Sequence, residues 1–253
     1  VAIPAFVGAG SGVTITGASG TVSRAGCTAG NLVIVHFLVD GTGGVHDRTN
    51  FSNVQTLGGT ANDLTFLTAA TVGSPLAASH ELWIGRCTAN GTCQLDLTSD
   101  SLDLYARLFE FSGVSAGTLL GDVIEEGTQG GAGQYHYHAL TNTIIQDAGV
   151  QSLGNDRLAC NFIAVNTNLA LATFSGQTGG TWAEPVAEYS DVTGTAGTIG
   201  LQTADMAAPG TIDGGTITIA SNPWGTVGFA LIPAAPAAGT YLFLKPTQSN
   251  LRW

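Results

Sequence analysis

The chain has 253 residues and a formal net charge of −11, with 18 Asp and Glu set against six Arg and the single Lys245. No basic stripe exists to neutralise phosphates, so nucleic acid is not an expected partner, and the acidity is read as keeping a low-charge surface soluble. Only 10% of residues are charged while Gly numbers 36 and Thr, Ala and Val abound, which excludes a protein of long amphipathic helices and favours strands joined by tight turns.

Taken from the N-terminus, Gly8-Ala9-Gly10-Ser11-Gly12 reads as a turn. It leads into a strand, Val13-Thr14-Ile15-Thr16, and not into a helix N-terminus that could cradle phosphate. Gly30-Asn31 then opens the apolar run Leu32–Asp40, a buried strand in which His36 is expected to be a satisfied core histidine. His80–Gly85, Cys93–Leu97 and Tyr105–Phe111 follow and are expected to form a meander. The order then recurs. Gly154-Asn155-Asp156 opens Arg157–Val165, followed by Thr198–Gln202, Gly215–Ile219 and Trp224–Leu231. Asp40-Gly41, Asn90-Gly91 and Asp213-Gly214 supply turns in which Gly takes positive φ.

These segments predict an all-β, antiparallel two-sheet β-sandwich, jelly-roll-like, built from two similar halves at residues 1–117 and 118–235. The seam is expected near Gly113 to Gly121, and Gly127 to Gly133 reads as an exposed loop. Pro233 to Gly239 reads as a connector to a C-terminal arm at 236–253. Its strand Thr240–Lys245 must be buried on its own sandwich or on a neighbouring subunit, which makes Tyr241, Phe243 and Trp253 candidate subunit contacts. No run approaches the ~18 apolar residues that span a bilayer, so no membrane partner is expected. Val1 suits loss of either an initiator Met or a signal peptide, which leaves localisation open between an assembled particle and export.

Cysteine, histidine and acidic residues carry the candidate chemistry. Cys87 and Cys93 bracket Thr-Ala-Asn-Gly-Thr, and a hairpin loop with Gly91 in the left-handed position would set them opposite each other for a disulfide or leave two thiols beside a turn. Cys27 and Cys160 suit small buried hydrophobes or a second pair, and neither pair has the spacing of a zinc site. His136 and His138 alternate along a strand, where they could seat a metal or serve as ordinary strand or contact residues. The groups Asp96, Asp100, Asp103 and Asp122, Glu125, Glu126 follow no calcium-loop pattern and read as solvated loop carboxylates. Gly113-Val114-Ser115-Ala116-Gly117 matches a nucleophile elbow in letters only, because no convincing helix follows it. Trp182, Tyr135 and Tyr137 are aromatics that could stack on sugars or fill a core. No cofactor is called for.

The segments Gly154-Asn155-Asp156, Gly180-Thr181-Trp182 and Ser221-Asn222-Pro223-Trp224 through Leu231-Ile232-Pro233-Ala234 resemble a known pattern. It is that of the β-sandwich, jelly-roll-like modules of bacteriophage tail, fibre and capsid-decoration proteins, with relatives in secreted bacterial proteins. The match runs from about Asn155 to Ala234, with a looser copy from about Gly30 to Gly113 that has Tyr105 in place of the Trp. The resemblance implies a non-enzymatic virion structural protein, a decoration, cement or tail-associated subunit contacting other virion proteins and copies of itself, for which a trimer would be natural. The alternative is a secreted or receptor-binding carbohydrate-binding module recognising surface glycans.

Overall fold

A computed structural model describes residues 1–15, 19–40, 65–72, 78–98, 103–117, 120–125, 134–138, 144–146, 150–152, 154–165, 174–183, 198–218 and 224–236. Strands dominate. The first half holds β1 (Ala5–Ala9), β2 (Val13–Ile15), β3 (Ser19–Cys27), β4 (Leu32–Asp40), β5 (Thr65–Val72), β6 (Ala78–Arg86), β7 (Gly91–Thr98) and β8 (Asp103–Ser112). Among the described residues one four-residue helical turn, α1 (Leu120–Val123), opens the second half. There follow β9 (Ile124–Glu125), β10 (Gln134–His138), β11 (Ile144–Gln146), β12 (Val150–Ser152) and β13 (Arg157–Val165). The last are β14 (Trp182–Ala183), β15 (Thr198–Met206), β16 (Gly210–Ile212), β17 (Thr216–Thr218) and β18 (Trp224–Leu231). No helix among the described residues is long and apolar enough to cross a membrane.

The pairing is antiparallel and follows the same plan twice. In the first half one sheet runs β1-β8-β4-β6-β5, with β2 also on β8, and β3 pairs with β7 in a separate ribbon. In the second half the sheet runs β10-β18-β13-β15-β14, with β9 also on β18, while β11 pairs with β17 and β12 with β16. Thus β8-β4-β6 corresponds to β18-β13-β15, and the chain leaves the large sheet for the ribbon and returns at the same point in both halves. This interleaving is jelly-roll-like and replaces the expected meander, because β7 pairs with β3 and not with its sequence neighbours β6 and β8. Alternation along a strand fixes which face is apolar but not which strand lies alongside it.

Four layers result. Along β4, Leu32 and Ile34 face one way and Val33, Val35 and Phe37 the other, and both sets are buried because both faces of the sheet are covered. The first set meets Leu158, Cys160 and Phe162 of β13 and Val227, Phe229 and Leu231 of β18 in a core between the two large sheets. The second packs with Val22, Cys27, Cys93 and Leu95 of the β3–β7 ribbon. The outer face of the second sheet is covered by β12 and β16 through Val150 and Ile212, and by Ile217 of β17, which packs with Ile163, Val165 and Trp224. His36 is fully buried in the central layer, edge-on to Phe162 at 5.5 Å between ring centroids, as a core histidine.

Several local expectations shift. Leu32 pairs with Phe111 and Val39 with Leu104, while Leu158 pairs with Leu231 and Val165 with Trp224. With Leu32 matched to Leu158, Leu104 and not Tyr105 is the counterpart of Trp224. A one-residue slip of this kind would turn every side chain to the opposite face. Gly8 and Ala9 belong to β1, so the N-terminal turn is shorter than the Gly8–Gly12 stretch suggests. Pro233 bridges to Val114 and the Ala234 amide donates to the Gly113 carbonyl at 2.7 Å, so the connector is tied down at its start. Gly41, the loop Gly127 to Gly133, and the arm with Tyr241, Phe243 and Trp253 lie outside the described residues.

At the Asp213 turn it is Gly215, not Gly214, that takes positive φ, at +84°. Asp213 Oδ1 accepts from the Gly215 amide at 2.7 Å, closing an Asx turn that brings Thr216 onto Ser175. A Cβ on Gly215 would stand 2.2 Å from the Ser175 carbonyl oxygen. Gly215→Ala is therefore expected to lose roughly 1–3 kcal/mol, read as a lower urea midpoint at unchanged slope.

Candidate functional site

The chemistry-bearing residues of the first half converge at one end of its sandwich, beneath the turns that follow β3 and β6. Three features of the chain bring them there. In β3, Val22 faces the core, so strict alternation would point Cys27, five residues on, outward. A register shift between Arg24 and Cys27 inserts a bulge and turns Cys27 inward to 2% exposure. Cys87 extends the pairing of β6 with β4, its amide donating to Asn31 O at 2.9 Å and its carbonyl accepting from Gly30 N at 2.8 Å. The chain then crosses to the ribbon, where Cys93 stands opposite Arg24 and is fully buried.

Cys87 and Cys93 thus meet, but across the gap between a sheet and a ribbon and not across a hairpin. Gly91 takes φ +132°, a positive φ but not the left-handed value that the expected loop needs. Cys27, considered earlier for a pair with Cys160, joins them: the sulfurs of Cys27, Cys87 and Cys93 lie within 4.8 Å of one another. Cys160 instead lies in the central core between the large sheets. All four residues are thiols in this structure. The Cys93 thiol hydrogen-bonded to Cys87, together with burial, pushes the Cys87 thiol far above the ordinary range. Burial likewise raises Cys27 and Cys160. The Cys27, Cys87 and Cys160 thiols are therefore poor nucleophiles.

Beside the thiols stands Glu110 of β8, with no solvent exposure. Arg24 of the facing ribbon donates to Glu110 Oε2 in an ion pair. Glu110 Oε1 accepts from the Thr28 amide at 2.9 Å and from Asn31 Nδ2 at 2.6 Å. Asn90 Oδ1 accepts from the Ala29 amide at 2.8 Å, linking the two turns above the cluster. Arg24 also places Nη1 at 3.4 Å from the Cys27 sulfur. One carboxylate thus holds a guanidinium and two loop donors, so the 28–31 turn is fixed over the thiols. The sequence signal for this was weak: Glu110 sits in the apolar run Tyr105–Phe111, where a charged residue needs a buried partner.

Other expected residues fall elsewhere. Glu125, read as a solvated carboxylate, accepts from Arg157 Nε at 2.8 Å and from Ser152 Oγ at 3.0 Å, tying β9 to β12 and β13. Its neighbour Asp122 is exposed, Asp96 and Asp103 lie on β7 and β8, and Asp100 and Glu126 lie outside the described residues. Ser115 donates its amide to Ile232 O at 2.8 Å, and its hydroxyl oxygen accepts from Gly117 N at 3.3 Å, so Ser115 sits in a bridged turn, and the single helical turn α1 that follows from Leu120 does not begin at Ser115 as a nucleophile elbow requires. Trp182 is buried against Ala204, Met206 and Ile212, with its indole N–H directed at Thr178 O at 3.5 Å, which withdraws it as a sugar platform. His136 and His138 lie on β10 opposite Thr226 and Trp224, and Tyr135 opposite Val227 and Tyr137 opposite Gly225 alternate with them. Only the backbone of that strand is described. Comparisons with known protein families, with curated proteins and with solved structures found no match.

Proposed function

We propose that this chain is a structural protein of a bacteriophage virion, a capsid decoration or tail-associated subunit that acts through contacts with other virion proteins and with copies of itself. The observation that carries the reading is the duplicated jelly-roll-like plan, in which two matching halves bury their large sheets against each other. Two units fused in this way make a thick, rigid block. Its ion pairs, buried Glu110 with Arg24 and partly buried Glu125 with Arg157, hold its own layers and turns together. The stretch from about Asn155 to Ala234 that resembles phage modules falls in the second unit, and the looser copy from about Gly30 to Gly113 in the first. Low charge and the edge strand β1, which leaves Val7 43% exposed, suit association through surface burial. Burial of Trp182 weakens the alternative of a carbohydrate-binding module.

The test is to purify native particles on a density gradient and to quantify this polypeptide by mass spectrometry against a known shell protein. A decoration role predicts copy numbers comparable with the shell, and a tail role predicts a few per particle. Absence from the particles, or glycan-array binding by the recombinant chain, would overturn the proposal.

A further inference from the structure

We propose that Cys27, Cys87 and Cys93 form a closed three-sulfur site for one soft, three-coordinate d10 cation, monovalent copper in the first instance. The residues come from three segments: the end of β3, the residue after β6, and β7. Each is at most 2% exposed. Their sulfurs lie within 4.8 Å of one another. An ion about 2.3 Å from three sulfurs in a plane sets them about 4.0 Å apart, so small side-chain rotations within the cluster suffice to close the site.

Coordination number selects the ion. Thiolate sulfur favours soft cations, monovalent copper and zinc among them, but a structural zinc site takes four ligands in a tetrahedron. The nearby carboxylate that could serve as a fourth ligand, Glu110, is already held by Arg24, Thr28 and Asn31. The surroundings are otherwise apolar, with Val22, Val33, Val35 and Leu95 in the same core. A cation satisfied by three sulfurs fits this shell. Arg24, 3.4 Å from the Cys27 sulfur, offsets part of the thiolate charge and donates to it. Binding displaces thiol protons to solvent and leaves the redox state of both metal and sulfur unchanged. Because Cys87 continues the large sheet while Cys27 and Cys93 lie on the ribbon, the ion would staple the two layers of the first half.

The experiment uses the full chain, purified under reducing conditions and titrated anaerobically with monovalent copper against a chromophoric copper chelator. The expected result is one ion per chain, three sulfur neighbours by X-ray absorption, and a rise in melting temperature on loading. Cys27→Ser should weaken binding by more than the roughly 10–100-fold that loss of an outer-shell partner costs. Cys160→Ala, a change in the central core, should leave the stoichiometry intact. Should Cys27→Ser fail to fold, the sulfur count on the unaltered chain decides. Failure to compete with the chelator, zinc held by four ligands in preference to copper, or a Cys87–Cys93 disulfide in the chain isolated without reductant would each overturn the proposal. None of these outcomes bears on particle association, which is tested separately.

Discussion

Glu110→Ala is expected to destabilise the fold by about 3–5 kcal/mol, the usual cost of breaking a buried ion pair from one side. With about 2–4 °C per kcal/mol for a chain of this size, the melting temperature should fall by about 6–20 °C. The carboxylate has no solvent exposure and its partner Arg24 is 13% exposed, so neither charge can recover hydration without opening the ribbon. Removing it also deprives the Thr28 amide and Asn31 Nδ2 of their acceptor under the 28–31 turn. Glu110→Gln separates the two effects, since it keeps an acceptor for the turn while leaving Arg24 without its counter-charge. It should lose less than the alanine variant. Combining Arg24→Met with Glu110→Gln should then recover part of the loss, because a neutral pair has no uncompensated charge to bury. Urea unfolding of the three variants measures this. A loss under ~1 kcal/mol for Glu110→Ala would mean that the ribbon opens freely enough to hydrate Arg24.

The long buried strands were the most legible part of the chain. Leu32–Asp40 and Arg157–Val165 form at the bounds that their apolar runs mark, because a strand covered on both faces leaves a continuous hydrophobic signal. The repeat was legible for the same reason, since these two runs head corresponding strand orders. Pairing was not. Cys93–Leu97 alternates as any half-buried strand does, and nothing local says that its partner is β3, about seventy residues earlier, in place of its neighbour β6. The thiol cluster was lost with the pairing. Cys87 and Cys93 are close in sequence and invited a hairpin, whereas the chain crosses from sheet to ribbon between them and Cys27 joins them only through a bulge in β3, neither of which a spacing rule encodes. Trp182 stayed open between a sugar platform and a core filler, because an aromatic in a Gly-rich segment suits either until Met206 and Ile212 are seen to cover it.

Phe162→Ala addresses the joint between the two halves, and it too should cost about 3–5 kcal/mol. The ring is fully buried at the centre of the inter-sheet core. It meets Phe109 of β8 edge-on at 5.4 Å and His36 of β4 edge-on at 5.5 Å, both from the first half. From the second half Phe229 stacks on it at 5.7 Å. Truncation leaves a void lined from both sheets, which the rigid strands around it cannot collapse to fill. Because this core is shared, neither large sheet can expose its inner face without exposing the other, and the chain should unfold in one transition that the substitution moves as a whole. Met206→Ala provides the contrast, since Met206 packs on the outer face of the second sheet with Val150, Trp182 and Ile212, in a buried cluster whose described residues all belong to the second half. It should cost about 2–5 kcal/mol by the same cavity argument, with no reason to act on the first-half ribbon. Hydrogen exchange separates the two. Phe162→Ala is expected to speed exchange of β4 and β13 amides together, and Met206→Ala to speed chiefly β12, β15 and β16. If Phe162→Ala left the β4 amides at their original rate while β13 opened, the halves would be independent sandwiches that merely touch, and the rigid-block argument for a particle-building role would lose its physical basis.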